Sequence, residues 1–225
     1  MTTDFAALRE RVWRANRMLP ELGLVVMHSG NVSGIDRGRG IVLIKPSGVG
    51  YDTLRAEDLA VIALDGSRAN APDGAPNELR PSVDTPHHLA LYRGDDALGG
   101  VVHTHSNHAT AFAAIGEPIP CALTALADEF GGEIPCAPYA DNEGDHIGAA
   151  ILAARTRAPA VLLANHGVFA FGPTPEAAVK AAAMTEDAAT TLWLARAIGK
   201  PSPLAPEEIE KWWVRYHETY GQERR

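Results

Sequence analysis

Gly100-Val-Val-His-Thr-His105 reads as a buried strand that ends in polar side chains. On a strand, residues i and i+2 face the same side, so His103 and His105 turn two imidazoles toward one point. Thr85 and Pro86 stand where a helix would start, with Leu89, Leu91 and Tyr92 following, and a second helix is expected over Ala109–Ile115. Farther out, Ile41-Val-Leu-Ile-Lys45 and Val61-Ile-Ala-Leu64 are short strand-like runs. Ala160–Ala164 and Val168–Phe171 form an expected strand pair around Asn165-His-Gly167. Phe5, Leu8, Val12, Ala15 and Leu19 recur at helical spacing before Pro20 and Gly23 punctuate the chain. A long Ala-rich helix is expected from Pro175 to Ile198, stopped by Gly199 and Pro201, and a last one over Pro206–His217. Ser67–Pro81, rich in Asn, Ala, Pro and Gly, is a loop. Strands mixed with helices throughout argue for one α/β sandwich.

Composition narrows the partners. The 225 residues suit one generous domain, and 46% hydrophobic content excludes wholesale disorder. With 20 Lys plus Arg against 28 Asp plus Glu, the formal charge of −8 argues against nucleic acid or an anionic membrane as the main partner. Cys121 and Cys136 are too few for a disulfide framework or a zinc finger. The start, Met1-Thr-Thr-Asp4, lacks a basic segment followed by an apolar one, and no apolar run reaches the ~18 residues of a membrane span. A soluble cytoplasmic protein is the expectation.

Three groups of residues carry chemistry. His103 and His105 alone could be a polar strand end, but His166, at the end of another apolar run, completes a set of three imidazoles suited to a Lewis-acid metal. His87 and His88 read as residues of a helix's first turn, His146 as following an acidic loop, and His28, His108 and His217 as lacking a paired partner. Ser29-Gly-Asn-Val-Ser-Gly34 and Lys45-Pro-Ser-Gly48 read as small-residue turns that free backbone N–H groups for an anion, and Ser82 adds a hydroxyl unless it only caps a helix. Asp84 and Asp128 are acid–base candidates that could equally be a cap and a solvated carboxylate. Tyr220 reads as tail.

Taken together, Gly30-Asn-Val-Ser33, Lys45-Pro-Ser-Gly-Val-Gly-Tyr51, Ser82-Val-Asp-Thr-Pro86, Gly99-Gly-Val-Val-His-Thr-His-Ser106, Ala127-Asp128, Ile134-Pro-Cys136, His166-Gly167 and Tyr220-Gly-Gln222 resemble the class II aldolase/adducin family, most of all its 4-epimerase branch. The resemblance runs in family order over nearly the whole chain. It implies a three-layer α/β/α sandwich with a central, mostly antiparallel sheet. It also implies one divalent metal ion per subunit on His103, His105 and His166, with Asp84 beside it. Zinc is the first expectation, and Mn²⁺, Fe²⁺ or Co²⁺ would also suit the donors.

By the same resemblance, Asn31, Lys45, Ser47, Gly48 and Ser82 hold a phosphorylated ketose, and Asp128 is an acid–base carboxylate. Tyr220 would reach from a neighbouring subunit of a homotetramer. The implied reaction interconverts L-ribulose 5-phosphate and D-xylulose 5-phosphate by retro-aldol cleavage and recombination. The alternative is an aldolase or related lyase that releases its fragments. Aldolases of the family that cleave deoxyhexulose 1-phosphates typically carry Glu where this chain has Asp84. Departures from the epimerase pattern are Val83 in place of a second serine, Leu126 in place of a histidine, and a compact segment from Tyr139 to Ala158.

Overall fold

A computed structural model of the protein describes residues 4–220. Its centre is a seven-stranded sheet in the order β3-β2-β1-β4-β7-β6-β5. The strands are β1 (Asn31–Asp36), β2 (Ile41–Ile44), β3 (Ala60–Ala63), β4 (Gly100–Thr104), β5 (Cys136–Ala137), β6 (Ala160–Leu163) and β7 (Gly167–Gly172). Every pairing is antiparallel except β5 with β6. The helices are α1 (Phe5–Glu21), α2 (Thr85–Gly94), α3 (Asn107–Ala114), α4 (Thr124–Phe130), α5 (His146–Ala154), α6 (Pro175–Ile198) and α7 (Pro206–Glu218).

Period-two alternation divides the core between the faces. Val101, Val161, Phe169 and Phe171 pack with Leu89 and Tyr92 of α2 and Ile147 and Ile151 of α5. Their neighbours Val102, Leu162, Val168 and Ala170 pack on the opposite face with α1, α3, α4 and α6. The result is the expected three-layer α/β/α sandwich with a mostly antiparallel sheet. Burying a side chain such as Val101 or Leu162 completely is worth roughly 1.5–3 kcal/mol each.

The segment expected as an anion-binding turn, Ser29–Gly34, is divided. Gly30, at φ +73, makes the turn, whereas Asn31–Gly34 belongs to β1, hydrogen-bonded on both edges to β2 and β4. Small residues are needed here for close packing: a Cβ on Gly34 would stand 2.6 Å from Val12 Cγ2 and 3.0 Å from Pro175 Cγ. Buried Asn16 of α1 completes the seam, its amide donating to Val32 O (3.0 Å) and accepting from Val32 N (2.9 Å). α1 continues through Pro20 to Glu21, and α4, α5 and β5 fill a region where no element was expected. Among the described residues, no helix is long and apolar enough to cross a membrane.

Candidate metal centre and substrate cleft

β4 brings His103 to the face covered by α2, opposite Asn31 of β1 and Phe169 of β7 in the sheet register. Its ring stacks on Phe169 at 4.3 Å between centroids. Nδ1 lies 2.9 Å from Val168 O, and a carbonyl can only accept, so Nδ1 carries the proton and Nε2 keeps its lone pair. His105 stands just past the end of β4, and His166 sits in the β6–β7 turn, where Asn165 has φ +59. Nε2 of His166 is 3.2 Å from Nε2 of His103, and one ligand atom from each of the three rings falls within 4.8 Å of the others.

Two nitrogens sharing a tetrahedral ion at about 2.0–2.1 Å are about 3.3 Å apart, so the arrangement fits a divalent cation. Burial drives the His103 pKa down to about 4 and lowers those of His105 and His166. The rings are therefore neutral at pH 7, the form in which imidazole binds metal.

Asp84 lies at the start of α2, yet its carboxylate makes no helix-capping bond. Oδ2 instead accepts from Asn31 Nδ2 (2.7 Å) and Ser82 Oγ (3.1 Å). Burial works against the anion, but the attraction of the His103 and His88 rings, which take up protons in acid, and these donated bonds outweigh it, and the carboxyl stays below its ordinary range.

A second rung lies deeper in the α2–β1 seam. Ser33 Oγ is 2.7 Å from His88 Nδ1 and 2.8 Å from Tyr92 OH. Asp84, His88 and Tyr92 are spaced four apart along α2, while Asn31 and Ser33 are two apart on β1. Burial lowers the pKa of His88 to about 3, which keeps this ring neutral as well.

Lys45 follows β2 and is 2% exposed. Its Nζ donates to His28 O (3.2 Å) and lies 4.8 Å from the centre of the Tyr51 ring. Tyr51 OH pins the same loop by donating to Ser29 O and Gly30 O (2.9 and 2.8 Å). Ser47 and Gly48, at φ +72, complete the turn. A cleft of about 270 Å³ connects these residues with Asn31, Ser82, Asp84 and the three imidazoles. A larger hollow of about 590 Å³, lined by Arg17, Glu21, Tyr51 and Asp52, contains none of the triad, so chemistry rather than size marks the site.

Asp128 and Tyr220 do not line the cleft. Asp128 is on α4, whose apolar side belongs to the sheet face away from α2. There Arg215 of α7 joins the two: its Nη2 is 3.5 Å from Asp128 Oδ1 and its guanidinium is 5.3 Å from the Tyr220 ring centre. Gly221 and Gln222, which accompany Tyr220 in the family pattern, lie outside the described residues.

Several residues of the site escaped the sequence reading. Asn142 lines the cleft, and its Oδ1 is 2.6 Å from His87 Nε2. His28 lines it too. His87 and His88 do lie in the first turn of α2 but are fully buried, and the four-residue spacing from Asp84 was the signal for His88. His108, read as unpartnered, sits 2.8 Å from Glu186.

Known proteins resemble this chain over nearly its whole length. Residues 10–193 match the class II aldolase and adducin N-terminal domain. L-ribulose-5-phosphate 4-epimerases of Salmonella paratyphi B and Salmonella typhi are each 40% identical over 230 residues, covering 96% of this chain and 98% of theirs. The solved L-fuculose 1-phosphate aldolase superposes with a TM-score of 0.83 at 27% identity, over 96% of this chain and 98% of that one. An L-fuculose-1-phosphate aldolase from Thermus thermophilus gives 0.69 at 26% identity, over 89% and 100%.

Proposed function

Because this chain belongs to the class II aldolase and adducin family, we propose that its imidazole-lined cleft is the active site of a metal-dependent sugar-phosphate epimerase. Its substrates are L-ribulose 5-phosphate and D-xylulose 5-phosphate, the pentulose phosphates implied by the relatives with which it shares 40% identity. The observation that carries the reading is the convergence of His103, His105 and His166 beside an anionic Asp84, in a cleft that also holds Lys45.

A divalent ion on the three imidazoles, zinc by preference, supplies Lewis acidity to the negative charge that develops on the ketose oxygens. The chain's own groups do the rest. Lys45, with the hydroxyl of Ser47 and the backbone at Gly48, grips the phosphate, while Ser82 closes that side of the cleft with its hydroxyl already donating to Asp84. Asn31 and Ser82 hold Asp84 ionised beside the imidazoles. As the C3–C4 bond opens, the C4 hydroxyl loses its proton, and the aldehyde oxygen regains one after turning its other face. We assign these two transfers to Asp128 and Tyr220. Both stand away from their own chain's cleft, which supports their entry from a neighbouring subunit of a homotetramer. Phosphorylated sugars do not cross membranes unaided, so a cytoplasmic location follows.

The test is NMR of metal-loaded protein with L-ribulose 5-phosphate. D-xylulose 5-phosphate should appear without free glycolaldehyde phosphate, and chelation should abolish turnover until metal is returned. Accumulating glycolaldehyde phosphate would favour the lyase reading, which the likeness to L-fuculose 1-phosphate aldolase keeps in view. The presence of Asp84 rather than Glu supports epimerisation. No conversion by metal-replete protein would overturn the substrate assignment.

A further inference from the structure

Of the three imidazoles, only His103 has a ring hydrogen bond outside the triad among the described residues, to Val168 O, since the His103–His166 contact joins two nitrogens that both face the ion position; His105 has no ring hydrogen bond at all. It is also the most exposed of the three. Its position must come from the backbone. On one side its ring lies over Gly167, where a Cβ would stand 2.6 Å from His105 Cδ2. On the other, the chain passes through Ser106 directly into α3.

The N-terminus of α3 is held in an unusual way. Ser106, in the capping position, makes no side-chain cap. The cap comes instead from α6, 77 and 78 residues farther along: Glu186 Oε1 accepts from His108 N (3.0 Å), and Oε2 accepts from Ala109 N (2.9 Å). The His108 ring donates to the same carboxylate (2.8 Å) through Nδ1, which Thr190 Oγ1 also approaches at 3.0 Å. Thr190 donates in turn to Glu186 O (2.8 Å), which fixes the residue that carries the clamp. A carboxylate at a helix N-terminus is favourably placed, and two backbone bonds to one carboxylate set both the height and the rotation of the first turn.

We propose that Glu186 is a positioning residue for the metal centre, holding His105 in ligating geometry through the first turn of α3. The proposal rests on the reading of the three imidazoles as a metal site. Residues that orient ligands from behind typically contribute 10–100-fold to metal affinity.

Metal-free protein is titrated with Co²⁺, followed by visible absorption, and with Zn²⁺ in competition with a chelator. Glu186→Ala should bind both ions about 10–100-fold more weakly and alter the Co²⁺ absorption bands. Glu186→Gln keeps the shape but turns an N–H₂ toward one backbone N–H, so it should fall between. Asp73→Asn, which weakens the distant ion pair with Arg9, is the control: it should lower the melting temperature and leave Co²⁺ affinity and spectrum unchanged. If Glu186→Ala does not fold, Glu186→Gln decides. A folded Glu186→Gln protein with wild-type affinity and spectrum would overturn the proposal. Failure of the wild-type protein to bind either ion would instead remove the metal-centre reading, and this proposal with it.

Discussion

Lys45 is the side chain proposed to grip the phosphate. Its ammonium has three protons, one of which is used by His28 O. Burial lowers its pKa to about 8, against the opposing pull of Asp84. A phosphate monoester is already a dianion above about pH 7, so in the range above that only the lysine changes charge. If Lys45 holds the phosphate, it is ready to do so below about pH 8, where it is protonated; above that, the free protein must first gain a proton. The KM for the sugar phosphate should therefore rise with pH above about 8, approaching tenfold per unit, with kcat much less affected. Lys45→Met should raise KM by about ten- to a hundredfold at pH 7, the worth of a charge-assisted bond, and flatten that dependence. A wild-type pH profile in the variant would show that the lysine does not hold the phosphate.

The seam between α2 and β1 fixes Asp84 beside the imidazoles. Asn31–Asp84 forms its outer rung, and Ser33 with His88 and Tyr92 its inner one, all within hydrogen-bond distance and buried. Ser33→Ala removes only an oxygen but leaves a buried imidazole and a buried phenol short of a partner. We expect a stability loss of roughly 1–3 kcal/mol by urea unfolding. An unchanged midpoint would mean that water or a rearrangement replaces the hydroxyl.

Such rungs also mark the limit of what the sequence disclosed. β4, β6 and β7 were legible because Val101, Val102 and Val161–Leu163 form uninterrupted apolar runs. β1 was not, since Asn31, Ser33 and Gly34 have turn propensities that pairing on both edges overrides. α4 and α5 are short and alanine- or glycine-rich, with little periodicity to detect. The triad was legible from local spacing plus a strand end. The Ser33–His88–Tyr92 and Glu186–His108 contacts, 55 to 78 residues apart, needed the fold.

At the scale of the whole molecule, the residues assigned to one reaction fall into two places on each chain. One is the cleft, with the imidazoles, Asp84 and Lys45; the other is the α4–α7 surface, where Arg215 brings Asp128 and Tyr220 together. If a complete site takes its cleft from one subunit and its acid–base pair from the next, the pair travels as a unit. Complementation between inactive variants reads this directly. Mixing His103→Ala with Asp128→Asn chains, then allowing subunits to exchange, pairs intact clefts with intact surfaces at about a quarter of the interfaces of a cyclic oligomer. About a quarter of wild-type activity should return. Mixing Asp128→Asn with Tyr220→Phe should restore none, because every α4–α7 surface then lacks one of its two groups. Rescue by the second mixture and not the first would mean that Asp128 and Tyr220 serve different sites, and the contact through Arg215 would have no part in assembling the catalytic pair.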